Sequence, residues 1–400
     1  KAIYLCKNPE GSNAPTYQSY ADALDEITAM AKQRRIVFVI DEYPYLAKAE
    51  KSISSRLQHI IDHVWKETEL YLILCGSSMS FMEYQVLGYE SPLYGRRTAQ
   101  FKIQALTYRE ITVFHPELSL EDQAMLYGIT GGIPHYINKL ELENDLDEAL
   151  LENLFDTSGY LFEEPENLLK QELREPAIYN SVIAAVAGGA SRSNEIATKV
   201  GLESGVCAKY LRILLELGIL KKEIPITEKP GRKTIYTIDD NFFRFWYRFV
   251  PENTSVISRG ASDLAYKRIE PELPNYMGGI FEEICKQYLW KLLLEGRCAV
   301  NFNELGRWWG TNPKTHKQEE IDIMGADKNE ALFAECKWKN EKTDINVLEK
   351  LVERSNLFNF NRKHLYLFSK SGFTKSCIDK ANEMGNVTLT AFEDIMKEII

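Results

Sequence analysis

The stretch Ile36-Val37-Phe38-Val39-Ile40-Asp41-Glu42 decides how this chain is read. Five apolar, mostly β-branched residues in succession predict a strand buried on both faces, as in a parallel sheet. Two carboxylates come next at its C-terminal end, where open α/β sheets place their ligand sites. Asp41 can hold Mg²⁺ there, directly or through water, and Glu42 can orient a water for attack on a γ-phosphate. This is the Walker B arrangement. The competing reading is a buried strand that ends in a solvated acidic turn.

Working outward, residues 2–6 are apolar and predict a strand. Residues 18–33 predict a helix leading into the 36–40 strand, which gives a βαβ order. Residues 52–65 have helical spacing, and residues 70–75 predict a second buried strand ending in Gly76-Ser77-Ser78. Ser77 or Ser78 can contact a γ-phosphate from that strand end, or can simply cap the next helix. Arg96 and Arg97 lie in the Gly/Pro-rich loop SPLYGRRT at 91–98. An exposed arginine in such a loop can act in trans on a nucleotide, or remain solvated. His59 and His63 sit four residues apart with no third ligand nearby, and read as ordinary surface histidines. Nowhere does the chain contain GxxxxGK[ST], the loop whose amides cradle phosphates. With a non-Met start at an apolar run, the expectation is that an N-terminal segment bearing Walker A is missing.

The 400 residues suggest several domains, and a hydrophobic content of 44% describes an ordinary globular protein. No apolar run approaches the length that spans a bilayer. Seven scattered cysteines without a CxxC pair point to a reducing cytoplasmic setting and away from a structural zinc. Of the net charge of −10, most belongs to residues 1–160, with 14 Lys and Arg against 23 Asp and Glu. Bulk charge therefore gives no support to nucleic-acid binding, though a local basic face stays open.

Residues 161–240 predict three helices, near 178–187, 193–200 and 205–217, then a β-hairpin with a Lys-Pro-Gly-Arg-Lys turn at 229–233. That is the winged-helix arrangement. In one reading the third helix enters a DNA groove while Arg232 and Lys233 at the hairpin tip reach phosphate. In the other it is a lid or a protein-contact module. The aromatic run at 241–249 can stack on bases or pack between domains, and packing is the stronger expectation.

Residues 276–295 predict a long helix carrying Glu282 and Glu283. The strand EEIDIM at 319–324 and the strand ALFAECKW at 331–338 come after it. Glu335 and Lys337 are two apart and so share a face. Asp322, on the neighbouring strand of the hairpin, can meet them. Asp322 and Glu335 are hard oxygen ligands suited to Mg²⁺, and Lys337 can orient or deprotonate an attacking water. An acid, twelve residues, then E-x-K is the PD-(D/E)XK nuclease spacing. The competing reading is a plain cross-strand charge pair.

The stretches VFVIDEYPYL, SRLQHIIDHVW, LILCGSSMSFMEYQVLGYESPLYGRRTAQF and GGIPHY resemble the archaeal-type P-loop ATPase family, a branch of the AAA/STAND group. The resemblance implies an α/β chain of three parts. These are an ATPase domain with a P-loop NTPase-type parallel sheet and helical lid at 1–160, a winged helix at 161–240 and a restriction-endonuclease-like α/β domain at 241–400. It implies ATP and Mg²⁺ as cofactors, with Asp41 and Glu42 as the Walker B pair. Ser77 or Ser78 becomes sensor-like, and Arg96 or Arg97 an arginine supplied by a second copy. It also assigns Glu282 or Glu283 as the helix acid, Glu283 being the choice for a metal set of Glu283, Asp322 and Glu335. The function expected is ATP-regulated action on DNA, the alternative an ATP-dependent regulatory switch whose nuclease-like domain only binds.

Overall fold

The computed structural model describes residues 2–7, 16–77, 81–140, 146–231 and 233–399. The chain divides into two compact units, residues 1–103 and 104–400.

In the first unit, strands β1 (Ile36–Ile40) and β2 (Leu70–Leu74) pair in parallel, Ile36 opposite Leu70. The helix Tyr20–Ala31 starts at Ser19, whose hydroxyl accepts the Asp22 amide. It packs with the helix Ile53–His63 around Leu24, Tyr43, Ile53, Leu57 and Trp65. Trp65 Nε1 donates to Thr28 Oγ1 at 2.8 Å. Two expectations are corrected here. Residues 2–6 lie in a helix, Ala2–Lys7, so the βαβ order does not hold. No strand lies beside it among the described residues. Nor is β1 buried on both faces. Phe38 and Ile40 pack on the core, while Val37 is 60% exposed and Val39 49%. An unbroken apolar run does not record whether a second layer covers it.

In the second unit, the helices Leu120–Thr130, Asn241–Ile257 and Leu273–Leu294 share one core. Tyr276 OH donates to the carbonyls of Gly128 and Asn241, and Trp246 Nε1 to that of Phe162 at 2.7 Å. Residues 120–160 share a unit and a core with the helices downstream of them. The aromatic run of Asn241–Ile257 is spent on that core, with Phe242, Phe243 and Phe245 fully buried. Helices Pro176–Ala187, Ser193–Val200 and Ser204–Glu216 precede an antiparallel hairpin, β3 (Leu220–Glu223) and β4 (Ile235–Ile238).

The C-terminal sheet runs in spatial order β5 (Gly306–Thr311), β6 (Gln318–Ala326), β7 (Glu330–Lys337), β8 (Arg362–Ser369), β9 (Val387–Ala391). β5, β6 and β7 pair antiparallel, then β7, β8 and β9 parallel. One face carries Leu332, Ala334 and Phe368 against Phe281 and Ile284; the other carries Phe333, Leu365 and Leu367 against Leu348 and Leu351. In β5–β6 the register steps from Gly306↔Met324 to Trp308↔Ile321, three residues of β6 against two of β5. The extra residue is a bulge at Asp322–Ile323, and it places Ile321 in one core and Ile323 in the other. Among the described residues, no helix is long and apolar enough to cross a membrane.

Candidate functional site

At the C-terminal ends of β1 and β2 the chain ties itself together. The Tyr43 amide donates to the Cys75 carbonyl at 2.9 Å, and the Cys75 amide to Ile40 at 3.2 Å. Asp41 Oδ1 accepts the Glu42 amide at 3.0 Å and the Cys75 thiol at 3.3 Å. Burial first, and then Asp41, pushes the Cys75 thiol upward. Glu42 takes a left-handed conformation at φ 48°, uncommon for a non-glycine residue, and the Ser77 hydroxyl lies 3.4 Å from its Oε2. Asp41, Glu42 and Ser77 are thus brought together; Ser78 lies outside the described residues.

Arg96 is engaged within its own unit. Asp62 grips it at two points, 2.9 Å and 2.6 Å, and it donates to the carbonyls of Pro92 and Tyr94. Arg97 is exposed and makes no ion pair among the described residues. The His59 and His63 rings lie 4.6 Å apart between centres, tilted by 52°.

The second constellation forms around the β6 bulge. Where β6–β7 pairing ends at Ile323↔Ala334, Asp322 Oδ2 takes over and accepts the Cys336 amide at 2.8 Å. Glu335, 7% exposed, holds Lys337 Nζ at 2.7 Å through Oε1 and Arg354 Nη1 at 2.9 Å through Oε2. Arg354 also donates to Glu319 at 3.1 Å. Burial, then the Glu335 charge, raises the Asp322 pKa against the pull of Lys337. Burial lowers Lys337, but Glu335 and Asp322 more than reverse this and keep it a cation.

Of the two helix acids, Glu282 rather than the expected Glu283 is the one that feels the charge of Asp322. Burial and then Asp322 raise the Glu282 pKa, and its Oε2 lies 4.0 Å from Arg307 Nε. Glu283 pairs instead with Arg244 at 2.9 Å and Lys221 at 3.8 Å. Adjacent helical residues point about 100° apart, so the two carboxylates meet different cations, Arg307 and Arg244. No group of three or more His, Cys, Asp or Glu close enough to hold a metal occurs among the described residues. Sequence reasoning missed Arg307 and Arg354, which carry no motif.

At the hairpin, Lys233 is held by Glu228 at 2.5 Å, and Arg232 lies outside the described residues. A cleft of about 530 Å³ opens between the hairpin and the helix Ser193–Val200, lined by Arg192, Ser193, Lys222, Gly231 and Tyr236.

Known proteins match the two constellations separately. Residues 6–140, which include Asp41, Glu42 and Ser77, match a family described as an ATPase domain predominantly from Archaea. Residues 246–348, which include Glu282, Asp322, Glu335 and Lys337, match a family of archaeal and bacterial proteins of unknown function. The uncharacterized protein MJECL04 of Methanocaldococcus jannaschii is 33% identical over 347 residues, covering 83% of this chain and 76% of its own. The chain belongs to the archaeal-type ATPase family. This archaeal-type ATPase also aligns at 13% identity with protein VC1899 from Vibrio cholerae, over 93% of this chain and 92% of that one, at a TM-score of 0.27. Can2 from Sulfobacillus thermosulfidooxidans, solved with cyclic tetra-adenylate, aligns at 11% identity over 92% of each chain, at a TM-score of 0.22. Neither likeness carries an argument about this chain.

Proposed function

We propose that this archaeal-type ATPase couples nucleotide turnover at Asp41 and Glu42 to metal-dependent phosphodiester chemistry on DNA at the β6–β7 acids. The observation that carries the second half is the meeting of Asp322, Glu335 and Lys337 at one point of the sheet.

A divalent cation fits the donor chemistry. Asp322 and Glu335 are hard oxygen donors, and Asp322 is buried against the Glu335 charge without an ion pair of its own among the described residues. A bound ion supplies stabilisation of the charge that develops on a cleaved phosphodiester. Lys337 orients the attacking water, helps to deprotonate it or steadies the developing charge. Arg354 and Lys337 between them fix the Glu335 carboxylate.

At the nucleotide end, Asp41 would hold the Mg²⁺ of bound ATP, Glu42 would orient the water, and Ser77 would sense the γ-phosphate. Arg97 is the arginine free to act on a second copy. The three helices and the hairpin form a winged helix, and its DNA contact lies in the cleft of Arg192 and Lys222 rather than at Lys233.

A second reading, an ATP-dependent switch whose C-terminal domain only binds a partner, draws on one observation. Both Glu335 oxygens are already engaged by cations. Cleavage of labelled single- and double-stranded DNA with Mg²⁺ or Mn²⁺ separates the two. Cleavage lost in Lys337→Ala supports the nuclease; no cleavage by either protein, with or without ATP, supports the switch.

A further inference from the structure

Arg307 stands on β5 opposite the β6 bulge, between the register pairs Gly306↔Met324 and Trp308↔Ile321. Its guanidinium meets carboxylates from three separate elements. Nε lies 3.1 Å from Glu320 on β6, Nη1 3.4 Å from Glu223 on the hairpin, and Nε 4.0 Å from Glu282 on the helix Leu273–Leu294. Its carbonyl accepts the Ile226 amide at 3.0 Å, and Ile226 packs so closely on Gly306 that a Cβ there would lie 3.1 Å from it. The loop joining β3 to β4 is therefore fastened to the sheet at the residue that holds Glu282 and Glu320.

A guanidinium cannot be deprotonated in a protein, so its charge leaves an acidic site only by moving. Glu223 gives Arg307 an anchor away from the acids, and Glu223 in turn shares Lys221 at 3.4 Å. We propose that Arg307 is a positioning residue that occupies the cation's electrostatic place beside Glu282 and Glu320, and that the hairpin, through Glu223, sets how readily this face accepts a divalent ion. The inference rests on the reading that Asp322 and Glu335 hold such an ion.

Two substitutions should act in opposite directions. Arg307→Gln leaves Glu282 and Glu320 without their shared cation and should tighten Mn²⁺ binding roughly tenfold, the scale on which one close charge acts at a protein surface. Glu223→Gln leaves Arg307 to the remaining acids and should weaken it. Arg307→Lys retains the charge and should bind close to wild type. In the Arg307→Gln background, Glu223→Gln should change nothing, which a merely structural or long-range effect of Glu223 would not reproduce.

The test is Mn²⁺ titration by calorimetry on the full chain, with circular-dichroism melts to confirm folding and Asp322→Ala as reference. Tighter binding in Arg307→Gln together with the background-dependent Glu223 effect supports the coupling. Unchanged or weaker binding in a folded Arg307→Gln overturns it while leaving the metal reading intact. If Arg307→Gln does not fold, Arg307→Lys and Glu223→Gln decide, and equal Mn²⁺ affinity in wild type and Glu223→Gln overturns the coupling. Mn²⁺ binding that survives Asp322→Ala, or no binding by wild type, removes the metal reading and the inference with it.

Discussion

The Cys336 amide donates to Asp322 Oδ2 across 2.8 Å, at the point where the β6–β7 backbone ladder stops. A side chain thereby replaces a main-chain partner and binds the site's first acid to the strand bearing the other two residues. Asp322→Ala leaves that amide without an acceptor and should cost about 1–3 kcal/mol, the range for a buried donor left unpaired. Asp322→Asn keeps an acceptor and should cost measurably less. Urea denaturation of both variants checks this, and equal losses would refute the bridging role.

Among the described residues, Arg354 alone joins Glu335 to Glu319. Arg354→Ala leaves Glu335 deeply buried with Lys337 alone, and about 3 kcal/mol of stability should go with it, near the low end for one partner of a buried pair. Arg354→Lys cannot reach both acids as a fork does and should fall between the two. Thermal melts of the three proteins rank them.

Gly76 lies under Pro44, and an added Cβ would come within 2.4 Å of Pro44 Cδ. Gly76→Ala should therefore destabilise the 1–103 unit by about 1–3 kcal/mol through overpacking and push the 76–77 segment away from Glu42. A melt that matches wild type would show that Pro44 yields.

Asp240 caps the helix Asn241–Ile257, its Oδ1 accepting the Phe243 amide at 3.0 Å. Burial lifts its pKa to about 6 despite that bond and Arg244. The folded state holds this proton more tightly than the unfolded one, so stability from this group falls as pH rises from about 4 to about 6. Asp240→Asn keeps an acceptor and sheds the charge. Its melting temperature should exceed wild type at pH 8, and the gain should shrink towards nothing near pH 4.

Lys222 lies 5.7 Å from the Tyr236 ring and lines the hairpin cleft with Arg192, whereas Lys233 is paired with Glu228. If DNA phosphate enters the cleft, Arg192→Ala with Lys222→Ala should weaken duplex binding and flatten its salt dependence by about one unit of slope per cation. Lys233→Ala should do little. Anisotropy titrations at two salt concentrations distinguish them, and identical slopes would exclude the cleft.

What the chain's order of residues determined by itself is local. Phe38 and Ile40 had to alternate with Val37 and Val39 in a strand ending at Asp41, Glu335 and Lys337 had to share a face, and residues 176–238 had to give three helices and a hairpin. These follow from fixed periods of 2 and 3.6 residues and from turn chemistry. Contacts between distant segments decided the rest. Whether Val37 is covered depends on a second layer and not on its neighbours. Glu282 rather than Glu283 reaches Arg307 because the packing of Phe281 and Ile284 sets the rotation of their helix. Arg96 is spent on an aspartate 34 residues away. Arg307 and Arg354 leave no periodic trace, since a guanidinium gains its role only where several buried carboxylates converge. The Asp322 bulge breaks the alternation on which strand reading relies, and it exists only once β5 pairs with β6.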